Sequence, residues 1–238
     1  MTARLIGVMV SVLAAGGCAA PLGPSIAHDE TQLFRAAHFD GARLKSGGIA
    51  LLGVTSAVAP EGIREDVGFV LDQAASNHLS RIRVIPRSDA AARAREVGMS
   101  GDLTRLMRDY EQHGTIDAGL LRRFAAAEGV RYFFLTRIVQ YERTTRAVSD
   151  PATAAVTPGL PASKRATERV QRIRLRGDVW DSRCGDLVWT GEGGTEVVEE
   201  TVSEEIRLQD VLAMAATNLV SLLPRSSETQ ATGKECGV

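Results

Sequence analysis

Residues Arg169 to Glu200 read RVQRIRLRGDVWDSRCGDLVWTGEGGTEVVEE. Two apolar-alternating runs, Val170–Trp180 and Leu187–Val198, flank DSRCGD, a cluster of turn-forming residues, so this stretch is a β-hairpin. Gly193 and Gly194 fall inside the second strand, where glycine marks a bulge or a close approach of another backbone. Arg172, Arg174 and Arg176 share one face of the first strand, and Glu192, Glu196 and Glu200 share a face of the second. Depending on register, they form cross-strand ion pairs or stand as separate basic and acidic stripes. The arginine stripe, Trp180 and Trp189 are the candidate interface residues. The same tryptophan, Trp189, also fits a core position under the C-terminal helix.

Upstream, VRYFFLTRIVQYE (Val130–Glu142) is a long strand, and GGIALLGVTS (Gly47–Ser56) is a strand apolar on both faces, hence central and covered twice. Between them, Val67, Val70, Leu71, Ala74 and His78 follow helical spacing after Pro60. RIRVIP (Arg81–Pro86) is a short strand. Ser88 is placed to cap a helix Asp89–Val97. Two further helices carry Leu103, Leu106, Met107 and Tyr110, then Leu120, Leu121 and Phe124, and stop at Gly114 and Gly129. Downstream, LQDVLAMAATNLVSLLP (Leu208–Pro224) carries one apolar stripe and packs on the sheet. The expected fold is α/β, or α+β, in a single domain over residues 47–224: a mixed β-sheet with helices packed on its faces. Residues 144–166 hold three prolines and almost no large apolar side chain, so they read as a mobile loop. Residues 225–238 read as a disordered tail.

The amino terminus, Met1–Arg4, carries one positively charged side chain, Arg4. An apolar stretch Leu5–Ala15 follows, shorter than the roughly 20 residues a bilayer span requires. It fits the core of a secretory signal. Ala15, Gly16 and Gly17 lead into Cys18, followed by Pro21. This run resembles the lipobox of bacterial lipoproteins, with Ala15 where leucine is usual. The resemblance implies a signal peptide over residues 1–17 and an acylated Cys18 as first mature residue. Pro21, Gly23 and Pro24 then open a tether over residues 18–46, with a short helix around Glu30–His38. An ordinary signal peptide cleaved near Ala20 is the alternative. A flexible chain of about 30 residues extends on the order of 30 Å.

Composition excludes several classes. The 238-residue chain carries net charge −1 with 24% charged and 44% hydrophobic residues, which implies no nucleic-acid partner, and its 5% aromatics are too few for a base-stacking surface. Cys184 and Cys236 either join in an oxidising compartment or remain exposed thiols. The four histidines, His28, His38, His78 and His113, are scattered, and no zinc-protease or serine-hydrolase motif occurs. No catalytic residue, metal site or cofactor is expected.

The order strand, helix, strand, helices, AAAEGVRYFFLTRIVQYE and DVWDSRCGDLVWTGEG, with Gly185 and Trp189 spaced after Asp181, is similar to a recurrent hairpin domain of envelope lipoproteins. These include the curli-secretion-channel lipoprotein, outer-membrane activators of penicillin-binding proteins and the amino-terminal domain of the Tol-Pal translocation protein. The resemblance implies a non-enzymatic scaffold or adaptor, anchored through Cys18 to the periplasmic face of the outer membrane, the latter from Ala19. Its partners would be envelope proteins or further copies of itself. A secretion-channel subunit, or a cell-wall or ester hydrolase with an unrecognised site, are the alternatives; the three prolines of 144–166 argue against a pore-forming hairpin.

Overall fold

The computed structural model describes residues 24–147, 167–200 and 206–225. Six strands form one mixed sheet. In chain order the elements are β1 (Ser25–Arg35), α1 (Gly41–Gly47), β2 (Ile49–Ser56), α2 (Glu61–His78), β3 (Val84–Ile85), α3 (Arg87–Glu96), α4 (Ser100–His113), α5 (Ala118–Glu128), β4 (Tyr132–Ala147), β5 (Thr167–Asp181), β6 (Asp186–Glu200) and α6 (Leu208–Ser221). The spatial order is β1-β6-β5-β4-β2-β3. Strand β2 runs parallel to β3 and β4, whereas β4, β5, β6 and β1 are successively antiparallel. The mixed α/β sheet expected from the sequence is therefore the fold.

Alternation along the central strands divides the core in two. Ile49, Leu51, Tyr132, Phe134, Leu175 and Trp189 face α2 and α6. Ala50, Leu52, Phe133, Leu135 and Trp180 face α3, α4 and α5. This is why β2 has no polar side: each face meets a helical layer. The glycine at position 193 sets the distance of α6. A Cβ there would lie 2.3 Å from the backbone nitrogen of Leu219, so only glycine admits the helix at this separation. At Gly191 the same missing side chain is replaced by the Trp189 indole, 2.6 Å from where a Cβ would stand.

Four expectations are corrected. Residues 25–35, assigned to the tether and in part to a helix around Glu30–His38, form β1 and pair with β6 through ten residue pairs. The run SIAHDETQLFR has no apolar face of its own, so its strand character comes from the backbone groups β6 presents. The folded domain consequently begins near Ser25, not at residue 47. Within the expected loop 144–166, residues 144–147 extend β4 against β5; the remainder lies outside the described residues, as does the tail beyond Arg225. Helix α3 is not capped by Ser88, whose hydroxyl bonds Asp89; it starts two residues earlier than expected, at Arg87, where Asp72 of α2 accepts the Arg87 N–H at 2.9 Å. His78 is exposed, and Leu79 takes the buried position at the end of α2.

Candidate interaction surface

The hairpin register decides the arginine stripe. Arg172 stands opposite Glu196, Arg174 opposite Gly194, and Arg176 opposite Glu192. Arg172 bonds Glu196 at 2.7 Å and Glu142 of β4 at 3.2 Å. Arg174 crosses the gap left by Gly194 and pairs with Asp29 of β1. Arg176 turns along its own strand to Asp178, Nε to Oδ1 3.4 Å. Cross-strand pairing, rather than two separate stripes, is thus the arrangement. The Arg172 guanidinium holds the Glu196 carboxyl below its ordinary range, and the carboxylate raises Arg172 in turn. The side chain of Glu200 lies outside the described residues.

These residues form a half-buried charged face opposite α6. Its rows are Glu142 and Gln140 on β4, Arg172 and Arg174 on β5, Glu196 and Gly194 on β6, and Asp29 on β1. All of them but Glu142 line a shallow cleft of about 340 Å³.

Both tryptophans are withdrawn from the interface candidates. Trp189 is fully buried beneath α6, its ring 6.2 Å from that of Phe134, and Trp180 is 9% exposed beneath α5. The extra residue of the bulge at Val179/Trp180 is Val188 on β6; β5 keeps its alternation, so Trp180 faces the layer of α3, α4 and α5 while Trp189 faces α6.

Two buried acids, not singled out from the sequence, fasten the hairpin to its surroundings. Asp178 accepts from the Tyr110 hydroxyl of α4 at 2.8 Å and from Thr190 Oγ1 at 2.7 Å. Burial and the Asp178 charge push the Tyr110 phenol far up, so it stays a donor. Arg137 bonds the Tyr110 carbonyl at 2.5 Å and lies 5.0 Å over its ring. Asp181, fully buried, takes a forked contact from Arg131, 2.6 Å at its shortest. The signal for both was an acid inside an otherwise apolar strand, GDVWD. The first network joins α4 to the sheet, and the second ties the start of β4 to the end of β5.

Cys184, in the β5–β6 turn, is disulfide-bonded, with its partner outside the described residues. Cys18 and Cys236 also lie outside them. Among the described residues, no group of three His, Cys, Asp or Glu side chains is placed to hold a metal ion, and no helix is long and apolar enough to cross a membrane.

No family model matches the chain, and no curated protein matches it. Among solved structures it is similar to a PelC dodecamer from Paraburkholderia phytofirmans, at 12% identity and TM-score 0.44, covering 84% of this chain and 99% of that one. It is similar to lipoprotein GNA1162 from Neisseria meningitidis, at 13% identity and TM-score 0.43, covering 72% and 96%. It is also similar to the LpoB C-terminal domain from Escherichia coli, at 11% identity and TM-score 0.36, covering 62% and 82%. Lipoproteins, the class the sequence resembles, are thus among the solved structures similar to this chain.

Proposed function

We propose that the chain is a lipid-anchored envelope protein that works by contact with other proteins, non-enzymatically, at the periplasmic face of the outer membrane. In this reading residues 1–17 are the signal peptide and Cys18 carries the lipid. Multiple acyl chains hold such a protein stably, at about 0.8 kcal/mol per buried CH₂. The observation that carries the reading is where the polar chemistry sits. The buried acids Asp178 and Asp181 are consumed in joining elements, and the arginines of the open face are engaged by carboxylates. What the domain offers outward is a charged sheet face and a long sheet edge, features of a contact surface and not of a catalytic site.

The position of β1 changes the mechanics. Six residues separate Cys18 from Ser25. Fully extended, they reach about 20 Å. The domain is therefore held against the membrane, and its partners lie within that layer. A lipid on Cys18 also occupies its sulfur, leaving Cys236 as the partner of Cys184.

Intact-mass spectrometry of protein purified from its native envelope tests the anchor: an acylated Cys18 at the amino terminus is expected, and a free amine beyond position 18 refutes it. Peptide mapping without reduction tests the pairing; a Cys184–Cys236 peptide is expected, and any other linkage refutes it. Affinity capture from solubilised envelope tests the contact role, which fails if neither a partner nor a second copy is retained.

A further inference from the structure

The sheet ends on two unequal edges. Strand β3 has two residues, whereas β1 has eleven, nearly all exposed, with no strand on its outer side among the described residues. Of the six exposed large apolar side chains among the described residues, Ile26, Leu33 and Phe34 lie on β1. A long edge strand carrying apolar side chains is a template for another strand unless charge or geometry blocks it. Here the central charge of the strand is turned to another use: Asp29 is held by Arg174.

We propose that β1 pairs antiparallel with β1 of a second copy, about a two-fold axis through Asp29. The inference gives a surface to the self-association within the reading above; it rests on the contact role and does not require the anchor. The register follows from charge and facing. With Asp29 opposite the partner's Asp29, His28 faces the partner's Glu30, and the same pair repeats across the axis. Asn218 Nδ2 donates to the Gly194 carbonyl at 2.9 Å and lies 3.0 Å from His28 Nδ1. Nδ1 is therefore the acceptor and the ring proton is on Nε2. That Nε2–H has no partner among the described residues. Glu30 has only a long contact, 3.5 Å, from Ser221 on the same α6 side of the sheet. In this register each unused donor meets an underused carboxylate on the same face.

The competing registers do worse. Centring on Glu30 sets two carboxylates opposite each other with no cation beside them. A shift by one residue places opposed side chains on opposite faces. The central Asp29 pair, by contrast, is accompanied by two Arg174 guanidinia. Leu33 and Phe34, at the β-bulge between Gln32 and Phe34, then cover the partner's Ser25 and the partner's Pro24.

Cysteine scanning in the full-length, membrane-resident chain tests this. Asp29→Cys is expected to give a disulfide-linked dimer on non-reducing gels. Glu30→Cys alone is expected to remain unlinked, whereas His28→Cys and Glu30→Cys chains expressed together are expected to link. Glu30→Lys removes both acceptors and sets donor against donor, which should weaken association about tenfold, and His28→Asp in the same chain should restore it. An unlinked Asp29→Cys chain, or a linked Glu30→Cys chain, overturns the proposal. If light scattering of the detergent-solubilised protein nevertheless shows a dimer, this surface alone is wrong. A monomer that captures no partner removes the contact role as well.

Discussion

Adjacent glycines on opposite faces of β6 offer a sharp test of how α6 is seated. In Gly193→Ala the new methyl would lie 2.3 Å from Leu219 N and 2.6 Å from its Cα, both backbone atoms that no rotamer change can move. Restoring ordinary contact near 3.4 Å requires α6 to lift by about 1 Å. A radial gap of about 0.5–1 Å forfeits roughly a quarter to a half of each dispersion contact it opens. The affected layer is the buried stripe Val211, Leu212, Ala215, Leu219 and Val220. Overpacking of this kind costs about 1–3 kcal/mol, and backbone contact puts Gly193→Ala at the upper end, about 3 kcal/mol. In Gly194→Ala the methyl points to the other face, with the Ile173 carbonyl oxygen at 3.2 Å and the flexible Arg174 side chain at 3.6 Å. Its cost should stay below about 1 kcal/mol, partly offset by the reduced backbone entropy of the unfolded chain. Urea and thermal unfolding followed by circular dichroism read both. The expected melting-temperature loss for Gly193→Ala is about 6–12 °C, from about 2–4 °C per kcal/mol at this size. Equal midpoints for the two variants would refute the claim that α6 rests on a bare backbone.

Further outcomes follow from the buried acids and the paired charges. Tyr110→Phe leaves Asp178 Oδ2 without its phenol donor and should cost about 1–3 kcal/mol in chemical denaturation, whereas Tyr110→Phe in an Asp178→Asn background should cost less than the sum of the singles. Arg131→Met strands the fully buried Asp181 charge and should destabilise by about 3–5 kcal/mol, a loss that a matched Asp181→Asn should reduce. Burial raises the Glu128 carboxyl above its ordinary range, so its contribution to stability is full below the unfolded value near 4.3 and is lost as pH rises through the folded value; Glu128→Gln should raise the urea midpoint at pH 7 and leave it unchanged near pH 4. Glu196, lowered by Arg172, has the opposite sign: its contribution is present above about pH 4.3 and lost as pH falls through the lower folded value, so Glu196→Gln should reduce the midpoint only at neutral pH, and by little, since the pair is solvent-accessible.

What the sequence determined by itself is whatever a local pattern specifies. GGIALLGVTS has no polar face, so β2 had to be central; the apolar spacing of Leu208–Leu222 had to lay α6 on a sheet; DSRCGD between two alternating runs had to be a turn. Even Gly193 announced a close approach before the approaching helix was known. Tertiary structure alone decided the rest, because those features arise from pairing between distant segments. SIAHDETQLFR carries no strand pattern and becomes β1 only because β6 presents an unpaired edge to it. Trp180 lies on the face of β5 that carries Arg172, Arg174 and Arg176, and only the helical layer covering that end of the face makes it core; no residue type signals it. Arg174 reaches Asp29 across 145 residues of chain because Gly194, between their strands, has no side chain to intervene. Local spacing encodes which face of an element is apolar; which segment lies beside it depends on a register that only the assembled sheet sets.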